Sequence, residues 1–326
     1  MTRDAASADP SRTPRLRVGV IGTGAMGRHH VRILAGLPEA DLIGIYDQRP
    51  ELAAQLAQEH QTKSFQSLEE LTQQVDAAVL AVPTYAHAQI GCELLAAGVH
   101  LLIEKPIAGT LEEADRLLAA AKGDGDPASE RVLAVGHVEF YNPAVQALLG
   151  IEEPPRYLEV QRLSPFTPRS LDVDVILDLM IHDLQLLHAL DPSPIKEIRA
   201  TGIDVLTQRI DIASVRIELE SGVVANVNAS RVSAEGVRKL RVYLGTRYFS
   251  VDYRKQEIKG FGLRTQGEHR LIMPEEITVH RCEPLRAELE AFIAACQGRE
   301  TQLVSGADGR RALDTALQIR GAIGKV

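Results

Sequence analysis

A helix-length apolar segment of this sequence, VILDLMIHDLQLLHAL, carries polar side chains that could perform acid–base chemistry. Asp178, His182 and Gln185 interrupt it at spacings of four and three residues, which places them on one face of an α-helix. An acid and an imidazole within an apolar segment need partners, because a lone buried charge is costly. We predict that Asp178 fixes the tautomer of His182 and raises its basicity, which suits a general base acting on a hydroxyl group. A purely structural Asp–His pair is an almost equally good interpretation of these residues.

A second candidate is Lys105, which lies in the tripeptide Glu104-Lys105-Pro106 directly after the predicted strand Leu101–Ile103. That position is the carboxyl edge of a sheet, where open α/β sheets bind their ligands. Taken by itself, the tripeptide is better explained as a surface lysine before a turn proline. Together with His182, however, Lys105 would hold the reacting oxygen and stabilise the negative charge that develops on it.

A glycine-rich segment indicates the partner of this chemistry. It consists of Gly22, Thr23, Gly24, Ala25, Met26 and Gly27. This GxGxxG motif follows the predicted strand Val18–Ile21 and begins a helix. The first glycine allows a tight turn, the second admits a pyrophosphate to the backbone, and the third lets helix and strand pack closely. The sequence therefore predicts a dinucleotide site at the N-terminus of this helix.

The acid after the next strand indicates which dinucleotide binds. Asp47 lies twenty positions after Gly27, where a carboxylate accepts hydrogen bonds from the adenosine ribose hydroxyls and repels a 2′-phosphate. We predict NAD in preference to NADP, although Arg49 weakens that preference because it could screen a 2′-phosphate. The alternative is a glycine-rich turn with an incidental aspartate nearby.

The elements that must position these residues alternate between strands and helices from Leu16 to about Val138. The predicted strands are Leu16–Ile21, Leu42–Tyr46, Ala77–Val82, Leu101–Ile103 and Val132–Val135. Capping boxes at Ser67-x-x-Glu70 and Thr110-x-x-Glu113 mark two helix starts, and Gly98 is placed to end a helix in the left-handed conformation. This order predicts right-handed βαβ units and a parallel sheet covered on both faces. We assign residues 1–14 to a disordered tail and 15–138 to a dinucleotide-binding domain.

After about Gly150 the pattern changes to a largely antiparallel sheet. An apolar helix over about Asp172–Leu190 precedes the predicted strands, and two further helices end the chain. The strands are Ile195–Asp204, Ile212–Leu219, Val223–Arg231, Lys239–Leu244 and Tyr248–Tyr253, and the helices are Pro284–Gln297 and Ser305–Gly324. We assign residues 139–326 to a second domain that binds substrate.

Charge and cysteine content exclude several classes of protein. The chain has 36 Lys and Arg against 44 Asp and Glu, a formal net charge of −8, which disfavours a nucleic-acid partner. No segment approaches the roughly 18 consecutive apolar residues of a membrane span, and residues 1–14 lack the apolar core of a secretory signal. Cys92, Cys282 and Cys296 are typical of buried thiols in a reducing compartment. We predict a cytoplasmic protein without a membrane partner and, since no third ligand is suitably spaced, without a metal.

Three strings in this order resemble the Gfo/Idh/MocA oxidoreductase family. They are GVIGTGAMGRHH, VPTYAHAQIGCELLAAGVHLLIEKPIA and LDLMIHDL, and the similarity runs from about Leu16 to the C-terminus. The resemblance implies an N-terminal Rossmann NAD-binding domain and a C-terminal α/β domain with a large, open, mostly antiparallel sheet. The outer face of that sheet often forms oligomer contacts in the family, which implies a homodimer or homotetramer.

The resemblance also implies roles for individual residues. Lys105 matches the lysine that contacts nicotinamide and substrate, in a Lys–Pro bond that is cis in some members, while His182 matches the proton-transferring residue and Asp178 its acidic partner. The resemblance also implies that Thr84 and His87 lie in the segment that lines the nicotinamide side of the cleft, and that Pro83 and Glu104 bind the cofactor.

Some positions depart from the family pattern. Val173-Asp174-Val175 replaces a glycine pair before the helix, and Gln185 replaces an aspartate three residues after the histidine. In the string GHVEFYNPAV, Phe140 stands where a related branch often has arginine. One contact to substrate therefore differs from that branch.

The substrate is indicated by the string RLSPFTPRSLDVDVILDLMIHD. It resembles a bacterial branch that includes UDP-N-acetylglucosamine 3-dehydrogenases and so implies oxidation of a secondary hydroxyl of a nucleotide sugar. The candidate substrate contacts are Arg162, Ser164 and Arg169, which would bind a pyrophosphate or carboxylate, and Asn142. Solvated surface arginines are the alternative for this group.

Other functions fit the same motifs. An inositol or free-sugar dehydrogenase and an imine or ketone reductase use the same fold and cofactor, and a member that retains its cofactor is also compatible with this sequence. A non-enzymatic regulator that senses dinucleotide is the alternative of a different class. The presence of Lys105, Asp178 and His182 together argues against the regulator.

Overall fold

The computed structural model describes residues 14–167, 173–266 and 269–324. Two sheets organise this part of the chain, one of six strands in its N-terminal half and one of eight strands in its C-terminal half. This α/β architecture confirms the predicted fold class. Residues 1–13 of the predicted tail lie outside the described residues.

The first sheet is parallel throughout. Its strands are β1 (Leu16–Ile21), β2 (Ala40–Tyr46), β3 (Lys63–Ser64), β4 (Ala77–Leu80), β5 (His100–Glu104) and β6 (Leu133–Gly136). They lie in the order β3-β2-β1-β4-β5-β6, so the chain reverses direction across the sheet between β1 and β4. Doubly wound sheets bind dinucleotides at the carboxyl ends of the strands beside such a reversal. The two-residue strand β3 escapes the sequence prediction, whereas the bounds of the others agree within two residues.

Helices connect these strands on both faces of the sheet. They are α1 (Ala25–Leu34), α2 (Pro50–Glu59), α3 (Leu68–Thr72), α4 (His87–Ala96) and α5 (Leu111–Lys122). At α5 both bonds of the predicted capping box between Thr110 and Glu113 form. At α3 the Ser67 hydroxyl accepts the Glu70 N–H, which is one half of the predicted box. Gly98 follows α4 with φ of 88°, as predicted for a left-handed closing residue.

The second sheet is antiparallel except at its centre. Its strands are β7 (Tyr157–Leu163), β8 (Ile195–Ile203), β9 (Ile212–Leu219), β10 (Val224–Ser230), β11 (Val237–Tyr243), β12 (Arg247–Asp252), β13 (Glu257–Gln266) and β14 (His269–Glu275). The order is β14-β13-β12-β11-β7-β10-β9-β8, and β7 pairs with β10 in parallel. β7 escapes the sequence prediction because its inward residues are Leu158, Val160 and Arg162, and the charged Arg162 interrupts the apolar alternation that marks a strand. β13 and β14 escape it because most of their side chains are exposed.

The helix that carries the predicted base differs from the expected continuous α-helix. After α6 (Pro143–Leu149) and β7, a π-helical turn spans Ile176–Met180 and continues as α7 (Ile181–Leu190). Residues 168–172 lie outside the described residues. A π-helical turn closes i→i+5 hydrogen bonds, so the α-helical rule that residues four apart share a face does not hold across Asp178 and His182.

Two C-terminal helices, α8 (Pro284–Cys296) and α9 (Gly306–Ala322), agree with the prediction within two residues. Leu289 and Phe292 of α8 are buried in one cluster with Val18 of β1 and Leu102 of β5. A helix assigned from sequence to the second domain thus contributes side chains to the core of the first sheet. The domain boundary at residue 138 stays a prediction.

Two smaller expectations have different outcomes. None of the helices in the described ranges is long and apolar enough to cross a membrane. Cys92 and Cys296 are partly buried free cysteines, but Cys282 is exposed, so the prediction of three buried thiols is wrong for Cys282. Cys282 lies in the segment between β14 and α8, outside the helices and strands whose packing buries side chains.

Candidate active site

The glycine turn between β1 and α1 has the shape that a dinucleotide requires. Gly22 has φ of 94°, and a Cβ there would lie 2.4 Å from the carbonyl oxygen of Ala81. A Cβ on Gly27 would lie 1.9 Å from the carbonyl oxygen of Gly22, so only glycine permits this approach of helix to strand. A Cβ on Gly24, in contrast, would meet no atom within 4 Å. The turn therefore presents open space above the free N–H groups of α1, which attract a phosphate.

Asp47 lies at the carboxyl end of β2 and is held as a carboxylate. Its Oδ2 accepts hydrogen bonds of 2.7 Å from both the N–H and the hydroxyl of Thr23, and its Oδ1 accepts the Arg49 N–H at 2.9 Å. Burial alone would raise the pKa of Asp47, but these hydrogen bonds from Thr23 and Arg49 together lower it to about 2. The Arg49 guanidinium also contacts Oδ1, at 3.2 Å.

These residues line a cavity of about 600 Å³ along the carboxyl ends of the strands. Gly22, Gly24, Asp47, Arg49 and Pro83 all contribute to its wall. The cavity has the size of a small-molecule site, and its open glycine turn and ionised acid fit an adenine dinucleotide. Ala25 and Met26 begin α1 directly beside it.

His87 and Glu104 are buried and hold the backbone around this cleft. The ring nitrogens of His87 lie 2.9 Å from the carbonyl oxygens of Pro106 and Val82, so the ring joins the end of β4 to the turn after β5. Glu104 Oε1 lies 2.8 Å from His30 Nε2. In contrast to the expectation that both side chains contact the cofactor, they contact protein groups. Thr84 begins the short 3₁₀ turn before α4 and is partly exposed.

Lys105 follows β5 at the predicted sheet edge, and its Lys–Pro peptide bond is cis. Its Nζ donates to the backbone carbonyl of Asp178 at 2.7 Å and to Asp178 Oδ1 at 3.2 Å. Both side chains are partly accessible, with exposed fractions of 20% and 23%. The π-helical turn thus directs the Asp178 carboxylate to Lys105.

His182 lies in the first turn of α7, and it does not form the predicted contact with Asp178. Among the described hydrogen bonds none joins Asp178 to His182, and His182 Nδ1 is buried without a partner. The predicted Asp178–His182 contact is therefore wrong, because the π-helical turn changes the angle between the two side chains. The nearest ring is that of His137, which meets His182 edge to face at a centroid distance of 5.5 Å.

The surroundings of His182 keep its imidazole neutral. Burial lowers the pKa of His182 well below its usual value of 6.5, and the positive charges of Lys105, Arg162 and Arg238 lower it further. A general base must be unprotonated to accept a proton. His182 therefore meets the electrostatic requirement for this role at neutral pH without a carboxylate partner.

The residues predicted to contact the substrate agree least with the structure. Arg162 is almost fully buried and donates to both oxygens of Asp183, at 2.6 and 2.8 Å, and to Glu139 Oε1 at 2.9 Å. These carboxylates use its three donor nitrogens, so the expectation that Arg162 binds a substrate phosphate is wrong for this structure. A buried guanidinium must be paired, which explains the acids beside it.

The other substrate candidates also have structural partners. Asn142 caps α6, where its Oδ1 accepts the Ala144 N–H at 3.1 Å and its Nδ2 donates to the Tyr253 carbonyl at 2.9 Å. Ser164 is partly exposed and donates to the Ser230 carbonyl at 3.4 Å. Arg169 lies outside the described residues. Gln185 is buried on α7, and its Oε1 has no hydrogen-bond partner among the described residues.

Several residues of this site escape the sequence analysis. His137 and Glu139 lie in the segment directly after β6, and Arg238 lies on β11. Arg238 is 39% exposed and donates to Glu139 Oε1 at 3.2 Å, so it shares that oxygen with Arg162. His137 could have been predicted as a site residue, because it follows a predicted strand of the first sheet at the same edge as Lys105. Arg238 had no local signal, because many arginines occupy alternate positions of exposed strands.

The structure thus brings together a glycine turn, an ionised aspartate, a lysine and a neutral imidazole at one sheet edge. This fold and site define a nicotinamide-dependent oxidoreductase. The chain belongs to the Gfo/Idh/MocA oxidoreductase family. Residues 16–131 match the model of the oxidoreductase family with an NAD-binding Rossmann fold, and residues 145–247 match the Gfo/Idh/MocA C-terminal domain.

The relatives of this chain include sugar dehydrogenases. The UDP-N-acetylglucosamine 3-dehydrogenase of Acidithiobacillus ferrooxidans is 39% identical over 314 residues, which cover 94% of this chain and 97% of the relative. A solved structure of that enzyme aligns with a TM-score of 0.88 at 38% identity, over 95% of this chain and 98% of that chain.

More distant relatives share the whole architecture. The inositol 2-dehydrogenase of Rhizobium meliloti is 25% identical over 319 residues, which cover 92% of this chain and 94% of the relative. A structure of levoglucosan dehydrogenase with NADH and L-sorbose is 19% identical, with a TM-score of 0.81 over 95% of this chain and 97% of that chain. This last similarity shows the common fold. The resemblance to the family is confirmed.

Proposed function

We propose that this protein is an NAD-dependent dehydrogenase that oxidises a secondary hydroxyl of a nucleotide sugar, with C3 of UDP-N-acetylglucosamine as the first candidate. The observation that carries this proposal is the pair of Lys105 and neutral His182 at the carboxyl edge of the dinucleotide-binding sheet. The substrate class is supported by the 39% identical relative, which matches along nearly its whole length.

NAD is the proposed cofactor because Asp47 stays ionised and is directed by four hydrogen bonds from Thr23 and Arg49. A fixed negative charge at this position repels a 2′-phosphate. The Arg49 guanidinium would otherwise favour NADP. It donates a hydrogen bond to Asp47 and is therefore less free to bind a 2′-phosphate. When bound, NAD accepts the hydride from the carbon that is oxidised.

His182 and Lys105 have separate roles at the reacting oxygen. His182 takes the proton of the sugar hydroxyl as the hydride leaves the adjacent carbon. Lys105 donates to the same oxygen and stabilises its negative charge until the carbonyl forms. Asp178 holds Lys105 Nζ and so orients this donor.

Arg238 is the proposed contact to the diphosphate, in place of Arg162. Its guanidinium is partly accessible and makes one hydrogen bond to Glu139, whereas Arg162 is enclosed by carboxylates. Arg238 shares Glu139 Oε1 with Arg162, and Arg162 also binds Asp183, the residue next to the proposed base His182. A partly free arginine beside the reacting centre suits a phosphate oxygen. Ser164 and Arg169 remain proposed contacts to the rest of the nucleotide.

We also propose a cytoplasmic homodimer or homotetramer that associates through the second sheet. Four aromatic rings form a continuous row across neighbouring strands of this sheet. They belong to Tyr157, Tyr243, Tyr248 and Phe261, with successive centroid distances of 5.5, 4.9 and 6.3 Å. Next to this row Ile272 of β14 is 75% exposed. Extended apolar surface of this kind is typical of association sites.

The experiment that tests the proposed function is NADH formation by the purified protein with a panel of substrates. The panel contains UDP-N-acetylglucosamine, related nucleotide sugars, free sugars and inositols, with a carbonyl trap that removes the oxidised product. We expect turnover confined to nucleotide sugars and lowered by about 10²–10⁴-fold in a His182→Ala control. Turnover with inositols alone would contradict the substrate class but not the mechanism. NAD binding without any turnover would favour the reductase or the dinucleotide-sensing regulator.

A further inference from the structure

A second histidine lies against the proposed base and has no assigned role. His137 follows β6 directly, and its side chain is 0% exposed. Within the described chain neither of its ring nitrogens has a hydrogen-bond partner. Buried polar atoms are nearly always paired, so an imidazole with two unpaired nitrogens needs an explanation.

The contact of His137 with His182 supplies an explanation for these unpaired nitrogens. The two rings meet edge to face, with centroids 5.5 Å apart and an interplanar angle of 87°. His182 Nδ1 is also buried and has no partner in the described ranges. A neutral imidazole carries one N–H donor and one acceptor nitrogen, so each ring holds a group that can pair with an unpaired nitrogen of the other.

We propose that His137 is a positioning residue that accepts the Nδ1–H of His182 and so fixes the tautomer in which His182 Nε2 carries the free electron pair. This inference rests on the proposed role of His182 as the base. It transfers to His137 the orienting function that the sequence analysis assigns to Asp178.

The charged groups around the two rings are consistent with this assignment. Lys105 forms an ion pair with the Asp178 carboxylate, and Arg162 forms ion pairs with the carboxylates of Asp183 and Glu139. Among the described contacts no carboxylate accepts a proton from His182. Burial and the charge of Lys105 also lower the pKa of His137 to about 3, so its ring is a neutral acceptor.

Proton transfer balances within this arrangement. The O–H bond of the sugar breaks as an N–H bond forms at His182 Nε2, and the hydride leaves the adjacent carbon for the cofactor. The resulting imidazolium keeps its Nδ1–H directed at His137, and the hydrogen bond becomes charge-assisted and stronger. His137 stays neutral throughout, so the proton returns to solvent from His182.

The test combines two variants of His137 with NMR of the full-length protein. His137→Phe keeps an aromatic ring against His182 but removes both nitrogens, whereas His137→Gln restores an amide that accepts a hydrogen bond. We expect His137→Phe to lower kcat by about tenfold or more, part of the roughly 10²–10⁴-fold of general base catalysis, with KM for NAD unchanged. We expect His137→Gln to recover part of the loss.

The tautomer itself is read by ¹⁵N NMR of histidine-labelled protein, with His182 assigned from its Ala variant. We expect the Nδ1–H tautomer in the wild-type protein and a shift towards Nε2–H in His137→Phe. An Nε2–H tautomer in the wild type would overturn the proposal. An unchanged kcat in a folded His137→Phe variant would do the same.

A matched control is His188→Asn on the same helix. His188 Nε2 lies 2.8 Å from the Thr315 hydroxyl, so this variant is expected to change the melting temperature but neither kcat nor the His182 tautomer. Because the NMR measurement needs no sugar, it decides the inference even if the nucleotide-sugar substrate is wrong. Inactivity towards every sugar, with the expected tautomer, would count against the proposed function alone.

Discussion

Lys105 Nζ is bound by two oxygens of Asp178, the backbone carbonyl at 2.7 Å and Oδ1 at 3.2 Å, although the residues lie 73 positions apart in the chain. The contact joins the carboxyl end of β5 in the first sheet to the π-helical turn that precedes α7. It fixes the flexible lysine side chain at the cleft and neutralises its charge in part. The contact thus connects the cofactor-binding half of the molecule to the helix that carries the proposed base.

The first prediction concerns this contact. Asp178→Asn keeps the backbone carbonyl that binds Lys105 but removes the carboxylate charge. We expect kcat to fall about tenfold or more, because the lysine donor is less well oriented, while the affinity for NAD stays unchanged. Steady-state kinetics and a fluorescence titration with NADH measure the two quantities. Asp115→Asn, which breaks an exposed ion pair with Arg310, is the control and should leave kcat unchanged. Weaker NADH binding in Asp178→Asn would contradict a role confined to Lys105.

The second prediction concerns the base and its pH dependence. The pKa of His182 lies well below 6.5 because of burial and the neighbouring positive charges. The unprotonated form is the active one, so a lowered pKa moves the acid limb of kcat/KM below pH 6.5 and leaves the rate flat through neutrality. His182→Ala should lower kcat by about 10²–10⁴-fold and remove that limb, with NADH affinity retained. An acid limb above pH 7, or a limb that persists in the variant, would assign the titration to another group.

The third prediction concerns cofactor choice. Asp47→Ala removes the carboxylate that Thr23 and Arg49 hold, and it frees the Arg49 guanidinium. We expect KM for NAD to rise by about tenfold and the ratio of kcat/KM for NADP over NAD to increase. Glu51→Gln, in the exposed first turn of α2, is the control for a general change of charge. An unchanged cofactor ratio in Asp47→Ala would show that Asp47 does not contact the ribose.

The fourth prediction separates the two arginines of the site. Arg238→Gln should raise KM for a nucleotide sugar by about tenfold, because a charge-assisted hydrogen bond to phosphate is lost. A free sugar lacks the phosphate, so any turnover of it should be unaffected. Arg216→Gln, an exposed arginine on β9, is the control. Equal effects on charged and uncharged substrates would indicate that Arg238 acts on His182 instead of the diphosphate.

The fifth prediction concerns stability. Arg162→Met leaves the buried carboxylates of Asp183 and Glu139 without their main partner, which should lower the free energy of unfolding by about 3–5 kcal/mol. Arg17→Gln breaks an exposed pair with Asp76 and should cost at most about 1 kcal/mol. Chemical denaturation of both variants measures the difference. Similar losses in the two would show that the buried network does not stabilise the fold.

Local patterns predicted most of the dinucleotide-binding half. The GxGxxG turn, the capping box at Thr110 and the left-handed Gly98 each depend on a few neighbouring residues, and each forms as predicted. Short β-branched runs likewise located β1, β4 and β5 because parallel strands are buried on both faces. The position of Lys105 at the sheet edge follows from this local order.

The central strand β7 shows where such patterns fail. Its inward residues are Leu158, Val160 and the charged Arg162, so no regular apolar alternation marks it, yet it lies in the middle of the second sheet between β11 and β10. Its place there depends on pairing with strands that follow it by more than 60 positions in the chain. Long-range pairing of this kind has no signature within a sequence window.

The sequence by itself determined the fold class and the dinucleotide turn followed by Asp47, and it indicated Lys105 and His182 as candidate reactive groups. The tertiary structure alone decided their partners. The π-helical turn directs Asp178 to Lys105, the packing of the turn after β6 against α7 brings His137 to His182, and two acids enclose Arg162. The physical reason is that residue type and local period specify which group a position carries. The charge or hydrogen bond that a buried group meets comes from residues distant in the chain, which only the packed fold brings within reach.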